Sequence, residues 1–217
     1  MQNSDIPQTK IILIRHGQTA WNKEEIFRGR ADVPLDEVGL RQAQALAEVL
    51  RAEPISGVFT SPLSRAVQTA TAVAEPHSLV PVPVPGFIDI DFGAWEGLAH
   101  DAVREQFPAL YATWQTQPEE VTFPEGENLD AVRQRTSAAL AELVQQGVGQ
   151  TIALVAHRVV NKVLICHILG LPNSHFWQIR QDTAAINRFH IARGSYIVDC
   201  LNDTCHLGRP DATSADF

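Results

Sequence analysis

The sequence predicts a three-layer α/β/α sandwich with a mainly parallel central sheet. Three observations carry this expectation. Short, continuously apolar segments, Ile11-Ile12-Leu13-Ile14 and Ile152-Ala153-Leu154-Val155-Ala156, have the composition of strands buried on both faces. Longer segments repeat apolar residues at helical spacing with one inward stripe. The two kinds alternate along 217 residues, as they do where helices cover a parallel sheet.

In chain order, the first strand spans Lys10 to Ile14. A helix from Asp36 to Arg51 turns Leu40, Ala43, Leu46, Ala47 and Leu50 inward. Gly57 to Thr60 is a short strand. Ser61-Pro62 then reads as an N-cap followed by a first helical position, opening a helix through Ala74. The alternating prolines of Val80 to Pro85 cannot donate to a ladder, so this segment is an edge or an extended connection. Asn128 to Gln146 is an amphipathic helix, and Thr151 to Ala156 the second apolar strand. A helix from Val159 to Leu169 ends at Gly170 and Pro172. Two late strands lie at Ala184–Ile191 and Tyr196–Leu201. Residues 1–207 form one domain, and the small polar residues from Gly208 to Phe217 form a flexible tail.

Composition narrows the function. Hydrophobic residues make up 45 % of the chain and charged residues 19 %, enough apolar surface to order the bulk of it. A net charge of −8 argues against nucleic acid as a partner, because phosphate backbones select basic footprints. Cys166, Cys200 and Cys205 make neither a disulfide framework nor a metal site of recognisable spacing. The polar N-terminus lacks a signal-peptide core, and no apolar run approaches the roughly 18 residues of a membrane span. The expectation is a cytoplasmic protein with no membrane partner, no metal and no cofactor.

The chemistry lies at the ends of the strands. Ile11–Ile14 runs into Arg15-His16-Gly17, Gly57–Thr60 into Ser61-Pro62-Leu63-Ser64-Arg65, and Ile152–Ala156 into His157. Ligands of open α/β sheets bind outside the carboxyl ends of parallel strands. Two arginines and two histidines gathered there repel one another unless an anion joins them, and a phosphoryl group is the natural one. A neutral imidazole at His16 can attack phosphorus and divide one displacement into two easier ones. Arg15, Arg65 and His157 would then stabilise the equatorial oxygens, and a carboxylic acid would protonate the leaving alkoxide. The segment Ile88-Asp89-Ile90-Asp91-Phe92-Gly93 supplies carboxyl groups. No step needs a metal.

These blocks resemble the histidine phosphatase superfamily, whose fold is phosphoglycerate mutase-like. Arg15-His16-Gly17-Gln18-Thr19 with Trp21-Asn22 is similar to its R-H-G signature. Residues Ser61 to Ala70, Asp91 to Gly97, Pro124 to Asn128 and Val155 to His157 resemble its later blocks, in the family's order. The resemblance implies His16 as nucleophile, with Arg15, Arg65, His157 and Asn22 around the phosphate and Thr19 near phosphate or substrate. It implies that one strand of the sheet runs antiparallel. The family's proton donor is a Glu where this chain has Asp89, one methylene shorter; Asp91 and Glu96 are the alternatives.

Further departures bear on substrate. Ser174-His175-Phe176-Trp177 and Asn202 to Leu207 resemble the metal-independent phosphoserine phosphatases, which implies a homodimer, but Phe92 stands where that subgroup usually has His. Gln-Gly of the loop becomes Arg28-Gly29, with Arg30 close by, and Arg158 replaces a small residue after His157. Arg28, Gly29 and Arg158 are candidate substrate contacts, as is His206 if the tail folds over the site. Alternatively, the extra arginines pair with Asp32, Asp36 or Glu37. Mutases of the family carry paired arginines in a longer insertion, whereas Leu98 to Phe123 here contains only Arg104. This segment is expected to form a helical cap over the site, with Tyr111 and Trp114 either roofing the cavity or packing in the core. His100, like the other histidines outside the blocks, reads as surface or packing. The reading is a metal-independent phosphomonoesterase for a small phosphorylated metabolite, working through phosphorylated His16. A mutase-type phosphoryl transferase and a catalytically weak phosphate-binding relic with a partner-binding role are the alternatives.

Overall fold

The computed structural model describes residues 8–208, so the tail expected to be flexible lies, from residue 209 on, outside the described residues. Its strands are β1 (Thr9–Arg15), β2 (Ile55–Thr60), β3 (Val82–Pro83), β4 (Thr151–Ala156), β5 (Ile186–Ala192) and β6 (Ser195–Asp203). They form one six-stranded sheet in the order β3-β2-β4-β1-β5-β6. Strands β1, β2, β3 and β4 are mutually parallel; β5 runs antiparallel to both β1 and β6. One strand therefore opposes the other five, and the three-layer reading holds.

The apolar runs are continuous because each strand faces two cores. Ile11 and Leu13 of β1 join Ile152, Leu154 and Ala156 of β4 on one face. Ile12 and Ile14 join Ala153 and Val155 on the other. The strand period of two thus delivers alternate residues to opposite layers. Helices α2 (Glu37–Leu50) and α3 (Ser64–Ala74) cover the second face with Leu46, Leu50, Ala66, Ala70 and Val73. Helices α6 (Leu129–Gln146) and α7 (Arg158–Ile168) cover the first, with Leu129, Val132, Leu140, Val160, Val163 and Leu164. Between the layers of sequence lie three shorter helices, α1 (Ala20–Lys23), α4 (His100–Gln106) and α5 (Pro108–Thr116).

Helix starts follow local chemistry. Asp36 accepts a hydrogen bond from the Gly39 amide at 2.8 Å, and Asn128 accepts one from the Ala131 amide at 2.9 Å, satisfying donors that the first turn leaves open. The expected cap at Ser61 is corrected: α3 begins at Ser64, with Leu63 at its N-cap position. The Ser61 hydroxyl is engaged by His157, 2.6 Å away. The prolines at 81, 83 and 85 reduce β3 to two residues at the sheet edge, as their missing donors require.

The segment expected as a cap is helical, and its aromatic residues pack inward. Trp114 is buried against Phe123, Phe176 and Trp177, each at a centroid distance of 5.2 Å. Trp95 is also buried and packs on Phe27 and Phe123 at 5.0 Å.

Candidate active site

The ends of β1, β2 and β4 bring His16, Arg65 and His157 together, all buried. The rings of His16 and His157 meet edge to face at 5.2 Å. Gly17, next to the first histidine, sits against the start of α2: a Cβ there would stand 2.6 Å from the Gly39 carbonyl oxygen. Backbone against backbone cannot yield cheaply, so the turn that carries His16 needs a residue without a side chain.

The tautomer of His16 follows from its partner. Nδ1 lies 2.6 Å from the Gly17 carbonyl oxygen, which can only accept, so Nδ1 carries the proton. Nε2 keeps its lone pair and is buried with no hydrogen-bond partner among the described residues. Burial first, and then the charges of Arg65, His157, Arg15 and Arg28, hold the imidazole well below its usual protonation range. His16 therefore presents an unprotonated nitrogen at neutral pH.

Arg65 is immobilised by its surroundings. It donates to the carbonyls of Ala31 and Gly29 at 2.8 Å each, to Asp89 at 3.1 Å, and through Nε to His157 Nδ1 at 3.3 Å. Because His157 Nδ1 accepts, its ring proton sits on Nε2 and is donated to Ser61 Oγ at 2.6 Å. Burial and then the Arg65 charge keep His157 neutral as well. Gly29, with φ of +50°, adopts a left-handed turn, and a Cβ would meet the Glu96 carboxylate at 2.0 Å. That turn aims its carbonyl at Arg65. Arg15 is buried and donates to the Gln181 carbonyl.

Asp89 is the carboxyl group that reaches this cluster. It is buried, and its Oδ2 lies 3.5 Å from His157 Nδ1 and 3.1 Å from Arg65. Asp91 instead accepts from the Gly93 amide and pairs with Arg30, and Glu96 accepts from the Arg30 amide at 2.7 Å. Arg135 of α6 fixes the segment before Asp89 by donating to the carbonyls of Gly86, Ile88 and Asp89 at 2.9, 2.6 and 3.1 Å. Glu127 orients that arginine at 2.9 Å and accepts from the Asp91 amide at 3.1 Å.

A cleft of about 310 Å³, open mouth included, lies beside Asp89. Arg28, Gly29, Phe92 and Arg158 line it, so the candidate substrate contacts Arg28, Gly29 and Arg158 share one cavity with Asp89. His100 lines it too, which the sequence did not indicate; it stacks on Phe27 at 4.3 Å and meets the Tyr111 hydroxyl at 3.1 Å. Burial is the main cause that lowers His100 to about 4. Arg30 pairs with Asp91 and Glu127, both at 3.1 Å, and not with the acidic residues anticipated for it. Thr19 and Asn22 bond to each other, Asn22 Oδ1 accepting from the Thr19 amide at 2.9 Å and its hydroxyl at 3.0 Å, which braces α1. His206 is not brought to this cleft; it lies in a 3-10 turn (Cys205–Leu207) packed against α2. Among the described residues no group of three or more His, Cys, Asp or Glu could hold a metal ion.

Comparison with known proteins places this constellation. Residues 11–204 match the family model of the histidine phosphatase superfamily, branch 1. Phosphoserine phosphatase 1 of Hydrogenobacter thermophilus is 34 % identical over 199 residues, covering 92 % of this chain and 94 % of that protein. The structure of Bacillus stearothermophilus YhfR superposes with a TM-score of 0.88 at 29 % identity, over 92 % of this chain and 99 % of that one. A phosphoserine phosphatase of Entamoeba histolytica, solved with 3-phosphoglyceric acid, superposes with a TM-score of 0.83 at 26 % identity, over 92 % and 99 % of the two chains. With the match spanning the sheet and every strand end that carries the buried cluster, this chain belongs to the histidine phosphatase superfamily and is a phosphatase with the phosphoglycerate mutase-like fold.

Proposed function

We propose that the protein hydrolyses the phosphomonoester of a small metabolite, without a metal, through a phosphoryl group carried transiently on His16. The observation that carries this reading is the unpartnered Nε2 of a buried, neutral His16 among Arg15, Arg65 and His157. In the first step Nε2 attacks phosphorus, the N–P bond forms, and the bond from phosphorus to the ester oxygen breaks. Arginine donors take up the charge on the equatorial oxygens. Asp89 gives its proton to the leaving alkoxide. In the second step water attacks the phosphohistidine, its proton returns to Asp89, the N–P bond breaks, and inorganic phosphate leaves.

Asp89 suits the role of proton donor because it faces both the cleft and the Arg65–His157 pair, while Asp91 and Glu96 are turned to Arg30. An arriving phosphoryl dianion competes for the Arg65 donor that Asp89 now accepts from. The relatives named phosphoserine phosphatase, and the one holding 3-phosphoglyceric acid, support a small phosphorylated substrate.

The test is phosphate release from a panel of alkyl and aryl phosphates with chelator present, for the native protein and for His16→Ala. Native turnover is expected to survive chelator, and His16→Ala to lose it by at least about 10³-fold. An acid-labile, alkali-stable phosphoryl-enzyme should be trapped from the native protein alone. Turnover that persists in His16→Ala overturns the proposal.

A further inference from the structure

The Gly17 carbonyl fixes the tautomer of His16, so whatever holds that carbonyl acts on the nucleophile. It belongs to the peptide joining Gly17 to Gln18. The N–H of the same peptide donates to Oε1 of Gln42, in α2, at 2.8 Å. Nε2 of Gln42 in turn donates to the Thr183 hydroxyl at 3.1 Å. A backbone N–H can only donate, which settles which end of the Gln42 amide faces Gln18. Gln18 is tied down again by Asp36, whose amide donates to its carbonyl at 3.1 Å and whose carboxylate accepts from its side chain at 2.9 Å. The peptide on the other side of Gly17 has its own anchor. Its N–H donates to Thr69 Oγ1 at 3.1 Å, and that hydroxyl donates to the Arg65 carbonyl at 2.8 Å.

These links include one chain that donates outward from the ring: His16 Nδ1–H to the Gly17 carbonyl, Gln18 N–H to Gln42, and Gln42 to Thr183. An amide whose N–H is engaged is the better acceptor at its carbonyl, because hydrogen bonds in series polarise one another. The chain also meets a local weakness. Position 17 admits no side chain, and a glycine leaves the peptides beside it freer to turn than any other residue does. If the Gly17 carbonyl turned away, Nδ1 would lose its acceptor. The ring proton could then settle on Nε2 with no change in charge. The nitrogen that must attack phosphorus would have no lone pair to attack with.

Building on the reading of His16 as nucleophile, we propose that Gln42 is a positioning residue for phosphoryl transfer, holding the Gly17–Gln18 peptide so that the His16 proton stays on Nδ1. Gln42 does not line the cleft, so it acts through this peptide and not on the substrate. The partner of one ring nitrogen selects the tautomer, and with it the state of the other nitrogen.

The experiment uses three variants. Gln42→Met keeps the volume and loses the amide. Gln42→Glu keeps an acceptor for the Gln18 N–H, and the Thr183 hydroxyl can turn to donate to it. Gln44→Met makes the same change at an exposed site on the same helix. In single turnovers of an aryl phosphate, phosphorylation of His16 should slow by about 10-fold in Gln42→Met, the scale of one lost hydrogen bond. It should stay within about 3-fold of native in Gln42→Glu and Gln44→Met. Affinity for inorganic phosphate should not fall in any of them, because binding uses the arginines and not the lone pair. Ring nitrogen NMR spectra at neutral pH, assigned by their loss in His16→Ala, should show Nδ1 protonated in the native protein. An added Nε2–H population should appear in Gln42→Met.

A native rate in Gln42→Met overturns the proposal and leaves the phosphatase reading intact. A slower rate with the tautomer unmoved, or one matched by weaker phosphate binding, overturns it too, since general damage does the same. If nothing is hydrolysed, the phosphatase reading fails, and the spectra of the resting protein decide the control of the tautomer separately. An Nε2–H population that appears in Gln42→Met and not in Gln42→Glu supports it; its absence overturns it.

Discussion

At the scale of the residue, reactivity here is a matter of which atoms are left without partners. His16 Nδ1 is occupied by the Gly17 carbonyl and Nε2 by nothing in the described chain. Asp89 differs from Asp91 by its place: it reaches Arg65 and His157, whereas Asp91 accepts from Arg30 and the Gly93 amide. That place leads to a prediction for Asp89→Asn. Hydrolysis of alkyl phosphates should fall by about 10²–10⁴, the usual worth of a general acid. Hydrolysis of an aryl phosphate with an acidic leaving group should fall by less than about 10-fold, because that oxygen departs without a proton. Parallel kinetics on the two esters check this, and equal losses would remove Asp89 from the role. Much of this site was legible in the sequence. Arg15, His16 and His157 follow apolar strands directly, and Arg65 sits in a block at a third strand end. His100 was not legible, since it reaches the cleft only because the 3-10 turn at Gly93–Trp95 and the aromatic packing of Phe27 return the chain there. The partners of Arg30 were equally hidden: Asp91 and Glu127 are distant in sequence, whereas the acidic residues expected for it are near neighbours.

At the scale of the element, the acid-bearing segment is held in place from outside its own sequence. Residues 86–89 form no regular ladder; helix α6 holds them through Arg135, and Glu127 holds Arg135. Arg135→Lys keeps the charge but cannot serve three carbonyls and a carboxylate together. It should lower kcat on alkyl phosphates by about 10–100-fold, the cost of a displacement near 1 Å, with little change in KM. Steady-state kinetics alongside a melting curve check this; a fall in melting temperature with unchanged kcat would make the arginine purely structural. Element types were well foretold and boundaries less so. The start of α3 shows why. Ser61 has the composition of a cap, and its hydroxyl accepts from the Leu63 amide at 3.3 Å, but a buried imidazole holds it more closely at 2.6 Å, and the helix begins three residues later. Local sequence reports what a residue can do, and tertiary contacts decide among those options.

At the scale of the whole molecule, several imidazoles are buried uncharged, and this couples stability to pH. In the unfolded chain these groups take up a proton near 6.5. In the folded chain His16 and His157 resist it far below that value and His100 down to about 4. Unfolding therefore consumes protons below pH 6.5, and stability falls as pH falls. Above 6.5 both states are neutral and these groups contribute no slope. Calorimetric melting from pH 7.5 to pH 5 should show a steady decline, and His100→Gln should flatten part of it between 6.5 and about 4; an unchanged slope would exclude His100. The sheet order has a consequence for the nascent chain. Strand β1 pairs with β4 on one edge and β5 on the other, and both are encoded more than a hundred residues downstream. While the ribosome is still translating, the first strand therefore has two open hydrogen-bonding edges and two apolar faces, the arrangement that invites pairing with a neighbouring polypeptide. Neither edge closes until Thr151–Ala156 and then Ile186–Ala192 emerge, so His16, at the end of β1, reaches its final setting only after both of those strands have been synthesised.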